Sequence, residues 1–180
     1  LLRARVCGAE KAKGKYIAFV DSDDYLSFDF YRSLVTRAEE TAADIVIGKT
    51  VWDNNGEKYI YNYHESCFNF DVLEGEEIQR RYFTQEAQCY SWHTIWNKLY
   101  KKTLWDACAE EFESVQNHII MTEDIYFSSV LFSNARKLSR VENDAYFYCV
   151  NENASTNSEG IRLARFKKNI EDITYVFEKA

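Results

Sequence analysis

An apolar run that stops abruptly in acid constrains this chain more than any other stretch. Tyr16-Ile17-Ala18-Phe19-Val20 leads straight into Asp21-Ser22-Asp23-Asp24. A short apolar run with β-branched and aromatic members suits a strand buried on both faces, as in a parallel sheet. Side chains alternate across a strand, so Asp21 and Asp23 are expected on one side just as the strand ends. Open α/β sheets bind ligands beyond the carboxyl ends of their strands, where these acids would lie. Carboxylates that close disfavour their own charge unless a cation joins them, and a hard divalent ion shared with phosphate oxygens supplies one.

The same four residues also suit an ordinary turn or helix cap with no metal. Other acidic motifs fit less well. An EF-hand loop needs Gly at its sixth position and Glu at its twelfth. Counted from Asp21, those positions hold Leu26 and Arg32. A phosphatase with an aspartyl nucleophile carries Asp-x-Asp-Gly-Thr, whereas Asp24 and Tyr25 follow Asp23 here.

With 180 residues the chain is long enough for one domain with a substantial core. A net charge of −7 argues against general nucleic-acid binding, which needs a basic surface. Aromatic residues are abundant, which suits a packed core first and a sugar-stacking groove second. No apolar run reaches membrane-spanning length and no signal peptide is visible. The five cysteines are scattered without a C-x-x-C pair, so they read as reduced thiols in a cytoplasmic protein. The chain opens Leu1-Leu2-Arg3 and its one methionine is Met121, which reads as a fragment or a processed chain.

In chain order, residues 1–13 read as a helix closed by Gly14, 15–20 as the central strand and 21–27 as the acidic loop. Tyr31, Leu34, Val35 and Ala38 have the spacing of one helix face, and Ile45-Val46-Ile47-Gly48 is a second strand. Strand, helix, strand in this order is a crossover unit and predicts a parallel pair. Asn54-Asn55-Gly56 predicts a hairpin, and Tyr59, Tyr61 and Tyr63 share one face of its second strand. Residues 74–83 read as a helix, and Thr122 as the cap of another from Glu123 to about Phe132. Residues 138–141 and 145–150 look like two strands. Leu163, Phe166, Ile170, Ile173 and Phe177 form the apolar face of a closing helix, expected to pack on the domain.

Several stretches together resemble the family 2 glycosyltransferases. The similarity rests on Ala4-Arg5-Val6-Cys7-Gly8, which looks like A-R-N-x-G, and on Ala12 to Asp24, which looks like A-x-G-x-Y-I-x-F-x-D-S-D-D. Trp96-Asn97-Lys98-Leu99-Tyr100, the pair Glu123-Asp124 and the stretch from Tyr146 to Thr156 are also similar, in the same order. Val6 departs from the family's Asn. The family's processive members carry Q-x-x-R-W, and its absence here favours a single-addition transferase over a polymer synthase.

The resemblance implies the GT-A fold: an α/β, Rossmann-like, mostly parallel sheet with flanking helices, forming a single catalytic domain over residues 1–180 that lacks its N-terminal, base-binding part. Residues 1–50 would form the donor and metal region and 51–180 the acceptor side. It further implies a metal-dependent inverting transferase that moves a sugar from a nucleotide donor, of the UDP type, to a hydroxyl on a saccharide or lipid-linked saccharide. Cell-surface polysaccharide or glycoconjugate synthesis is the setting, in the cytoplasm or at the inner face of the membrane.

By the same resemblance, Asp23 and Asp21 hold Mn2+ or Mg2+, and Arg5, Asp21, Ser22 and Asp23 meet the donor. Asp124 is the general base, with Glu123 beside it. Trp92, Trp96 and Lys98 are acceptor-side candidates, although tryptophans in such a run are more often core; His93 is read as a satisfied side chain rather than a ligand. Without the base-binding strands, the chain alone is expected to bind donor poorly and to be inactive. Two other classes remain: a non-catalytic saccharide- or protein-binding relative, and a nucleotidyltransferase, which would need a glycine- and lysine-rich phosphate loop.

Overall fold

The computed structural model describes residues 2–60, 69–84, 90–115, 119, 121–150 and 163–179. The tyrosine stripe at Tyr61 and Tyr63, Cys67, Cys89 and residues 151–156 lie outside them.

Strand β3 (Ile45–Asn54) organises the sheet. It alternates between two cores: Ile45 and Ile47 face one, and Val46 faces the other. That is the period of two that a strand buried on both faces requires. Strand β6 (Lys98–Lys101) repeats the pattern, with Tyr100 on the first side and Leu99 on the second. The larger core is aromatic, built around Tyr82, Trp92, Trp105, Phe112, Phe127 and Phe132. Helix α2 (Phe30–Thr41) covers the opposite face through Phe30, Leu34 and Ala38. Its buried stripe thus starts one residue earlier than the sequence spacing suggests, and Val35 is exposed.

The described strands form one sheet in the order β1-β6-β3-β7-β2, where β1 is Tyr16–Ala18, β2 is Tyr25–Leu26 and β7 is Lys137–Cys149. Strand β4 (Glu57–Tyr59) pairs with β3 and β5 (Val72–Glu74) with β7. The sheet is mixed rather than mostly parallel: β3 and β7 are parallel, and the other pairings are antiparallel. The expected β1–β3 pair is replaced because β6 inserts between them, antiparallel to both. Both strands still run the same way, as a crossover demands. Chain order cannot show that a later strand fills the gap.

Local chemistry explains most turns. Asn55 and Gly56 take φ of 53° and 96°, the left-handed pair that a tight hairpin needs, and Gly56 N–H donates to Asp53 Oδ1 at 2.7 Å. At Gly48 the β3–β7 register shifts, and a Cβ there would overlap the Phe30 ring. The two strands read in residues 138–150 are one strand with this irregularity inside it. Gly14 does not adopt the left-handed conformation; helix α1 (Leu2–Lys11) ends before it.

Helix α3 (Glu76–Phe83) is followed by the short α4 (Tyr90–His93), by α5 (Lys102–Ala107) and α6 (Ala109–Glu113), and by α7 (Glu123–Asn134). The last helix, α8 (Leu163–Lys179), contacts α7 and buries Asp172 and Val176, while Phe166, Ile170 and Phe177 are exposed. The apolar face expected to pack on the domain therefore points largely outward. Periodicity defines a face but not which neighbour receives it. No described helix is long and apolar enough to cross a membrane.

Candidate active site

The apolar run does not continue as a strand to its acids. Strand β1 stops at Ala18, and Asp24 N–H donates to the Asp21 carbonyl at 3.2 Å, closing a turn with Ser22 and Asp23 at its centre. Only Ile17 of the strand is buried and Val20 is 47% exposed. Alternation ends where the turn begins, so the strand no longer dictates where Asp21 and Asp23 point. Asp21 faces Arg5, and Asp23 is exposed with no hydrogen-bond or ion-pair partner among the described residues.

Asp24 ties this turn to the sheet. Its carboxylate accepts from the Tyr146 hydroxyl at 2.6 Å and from Cys149 N–H at 2.8 Å. The same hydroxyl accepts from Asp21 N–H at 3.1 Å. Tyr146 is fully buried, with its ring stacked on Trp96 at a centroid distance of 4.3 Å. Burial, with the Asp24 hydrogen bond behind it, pushes the Tyr146 phenol well above its ordinary range, so it stays a donor. Asp24 is itself raised, first by burial and then by the nearby acids, against the lowering effect of its two hydrogen bonds. Sequence reasoning missed Tyr146 and Asp24 as the clamp. Their place in the stretches that carry the resemblance was the available signal.

The second half of the site is the start of α7. Glu123 and Asp124 are its first two residues, where a helix N-terminus favours negative charge. Thr122 precedes them in the left-handed region at φ 63° and makes no side-chain cap; its hydroxyl donates to the Met121 carbonyl instead. Arg5, on the buried face of α1, joins the two halves. Its guanidinium pairs with Asp124, reaches Asp21 at 3.1 Å and lies 3.8 Å from Glu123. The family resemblance implies that Arg5 meets the donor. In the fold its side chain is only 6% exposed and faces three carboxylates.

The electrostatics follow from burial. Glu123 is pushed up to about 7, first by desolvation and then by the Asp124 charge, with Arg5 pulling the other way. Asp124 is also raised by burial, opposed mainly by Arg5. Arg5 stays charged because the three acids outweigh its own desolvation. Asp124 Oδ1 accepts from Arg5, and Oδ2 accepts from Ile95 N–H at 3.3 Å.

The acceptor-side candidates are not surface groups. Trp92 and Trp96 belong to the two cores and Lys98 is fully buried. Trp96 supports the acid turn from beneath through Tyr146. His93 lies against the Tyr82 hydroxyl at 3.2 Å, in keeping with a satisfied side chain. Among the described residues no group of three or more His, Cys, Asp or Glu side chains is arranged to hold a metal. The donor set at the turn is hard oxygen: exposed Asp23, and Asp21 with one oxygen already on Arg5. It fits a divalent cation that takes its remaining ligands from a diphosphate and water.

Known proteins bear on this geometry. The fold is that of S. aureus TarS: the structure solved in complex with UDP-GlcNAc matches with a TM-score of 0.66 and 18% identity, over 96% of this chain and 44% of that one. It is thus a GT-A fold. The profile of Glycosyl transferase family 2 matches residues 1–105, and the chain belongs to that family. Glycosyltransferase GlyA of Streptococcus pneumoniae is 29% identical over 82% of this chain and 21% of its own length. The uncharacterized glycosyltransferase EpsJ of Bacillus subtilis is 28% identical over 87% and 44%. A poly(ribitol-phosphate) beta-glucosyltransferase of Bacillus spizizenii is 28% identical over 77% and 19%. The chain spans less than half the length of each of these three relatives.

Proposed function

We propose that this chain is the catalytic part of an inverting glycosyltransferase that moves a sugar from a nucleotide-diphosphate donor to a hydroxyl. The observation that carries this reading is the Arg5 cluster, which joins the acid turn to the start of α7 within a family 2 chain. A UDP-type donor is favoured by the TarS complexes with UDP-GlcNAc and UDP. The poly(ribitol-phosphate) beta-glucosyltransferase relative favours a cell-surface polysaccharide or glycoconjugate as acceptor. Residues 1–50 would serve the donor and metal side and 51–180 the acceptor side.

Asp23, with Asp21, would hold Mn2+ or Mg2+. When bound, the ion neutralises charge on the diphosphate leaving group. Ser22 lies beside Asp23 at the exposed centre of the turn and would meet the donor there. Asp124 takes the proton of the acceptor hydroxyl as its oxygen bonds to the anomeric carbon, and the diphosphate departs with the electron pair of the broken bond. A carboxylate raised by burial is a stronger base, and Arg5 opposes that rise by favouring its ionised form. Each Asp124 oxygen accepts one described hydrogen bond and keeps a lone pair for the proton. Attack opposite the leaving group inverts the anomeric centre. Glu123 flanks the base.

Nucleoside diphosphate release from a panel of nucleotide sugars, with manganese or EDTA, tests this in the complete protein. Metal-dependent release is expected, abolished by EDTA and by Asp23→Asn. Asp124→Asn should lower acceptor-dependent release ~10²–10⁴-fold, the range for removing a general base. No release from any donor with any acceptor would refute the transferase reading and favour a saccharide-binding module.

A further inference from the structure

Lys98 opens β6 opposite Ile47 of β3, and its ammonium is sealed inside the protein. A buried cation is expensive unless its donors are met. The ammonium donates to the Ser91 carbonyl at 2.6 Å, to Asn97 Oδ1 at 2.7 Å and to the Thr94 carbonyl. These contacts hold the end of α4 and the turn after it. The Thr94 carbonyl has a partner in the same planar peptide unit, the Ile95 N–H, and a trans peptide points the two in opposite directions. That N–H donates to Asp124 Oδ2.

One peptide plane therefore stands between a buried cation and the carboxylate of Asp124. A cation on the carbonyl oxygen polarises the peptide and strengthens what its N–H donates, more so away from water. The neighbouring peptides are pinned as well. The Tyr100 hydroxyl donates to the Ile95 carbonyl at 3.3 Å, and the Ser128 hydroxyl of α7 donates to the His93 carbonyl at 2.7 Å. Thr94 Oγ1 donates to Asn97 Oδ1 at 2.9 Å, closing the network.

We propose that Lys98 is a positioning residue for sugar transfer: acting through the Thr94–Ile95 peptide, it orients and strengthens the hydrogen bond to Asp124 Oδ2, across the carboxylate from Arg5. The role rests on Asp124 being the base. Lys98 touches neither substrate nor leaving group, so its effect falls on the chemical step rather than on binding.

Kinetics of Lys98→Met and Asp124→Asn, alone and combined, test the link. Lys98→Met should lower kcat about 10-fold with donor and acceptor KM within about twofold. In the Asp124→Asn background the same change should alter the residual rate by less than about twofold, since the two act as a unit. Equal losses in both backgrounds, or a higher KM with kcat unchanged, would overturn the proposal. Should Lys98→Met fail to fold, NMR of Asp124→Asn, which leaves Lys98 in place, decides. The Ile95 amide proton should move upfield, and the Thr94 carbonyl carbon and Lys98 Nζ should shift with it. An inactive Asp124→Asn with unmoved Thr94 and Lys98 signals overturns this role alone. Full transfer activity in Asp124→Asn would overturn the base assignment and this role together.

Discussion

At the acid turn, Asp23 is exposed, and among the described residues no hydrogen bond or ion pair meets its charge. At the start of α7, Glu123 and Asp124 are the same kind of group, but Arg5, a helix terminus and Ile95 N–H are arranged around them. The contrast separates two ways of using a carboxylate. An exposed acid can wait for a charge that a ligand brings. A buried acid has its properties set by the protein, and the protein carries the strain of keeping it there. Asp21 belongs to both regions, since one oxygen is held by Arg5 and its side chain is 33% exposed.

Ranked by effect on stability, four substitutions sharpen or break this contrast. Arg5→Met removes the cation common to three acids. It should cost about 3–5 kcal/mol in urea unfolding, the range for stranding buried charges. A cost under about 1 kcal/mol would mean that the acids are far better solvated than their burial implies.

The next effect depends on pH. Glu123 is raised to about 7 from an ordinary value near 4.5, so between those limits the folded state holds a proton that the unfolded state has lost. Stability therefore falls as pH rises through that window and levels off above about 7. The loss attributable to Glu123 is on the order of 3 kcal/mol. Asp124 is raised too and adds in the same direction, so the measurement is the difference between the protein and Glu123→Gln. The variant's curve should be flatter across the window, and parallel curves would refute the shift.

Tyr146→Phe deletes the hydroxyl between Asp24 and the Asp21 amide. A loss of about 1–2 kcal/mol is expected, with weaker donor binding and unchanged secondary structure by circular dichroism. Asp23→Asn should change stability by no more than about 0.5 kcal/mol, as for other exposed positions, while abolishing metal-dependent release. A strong destabilisation there would show that Asp23 is a structural acid, and the contrast would collapse.

Much of this arrangement is legible in the sequence, and the parts that are not share a cause. The acid turn, the Asn55-Gly56 hairpin and the Glu123-Asp124 helix start are local features, set by residues within a few positions of one another. The mixed sheet is not local: β6 takes the place between β1 and β3 from later in the chain. Lys98 reads as an acceptor-side candidate, because a sequence does not show that its ammonium will be met by Ser91, Thr94 and Asn97. Phe166, Ile170 and Phe177 have a good amphipathic period, yet α8 buries Asp172 and Val176. Periodicity reports that a face exists, and only packing chooses which one is covered.

The sequence by itself determined the residue types of the site, their order and the family, because acids after an apolar run and at a helix start are written in consecutive letters. The tertiary structure alone decided that Arg5 would face carboxylates rather than solvent, that Tyr146 would clamp the acid turn, and that Lys98 would stand one peptide away from Asp124. Each of those depends on groups brought together from distant parts of the chain. The strength of a charge or a hydrogen bond is fixed by what surrounds it after folding.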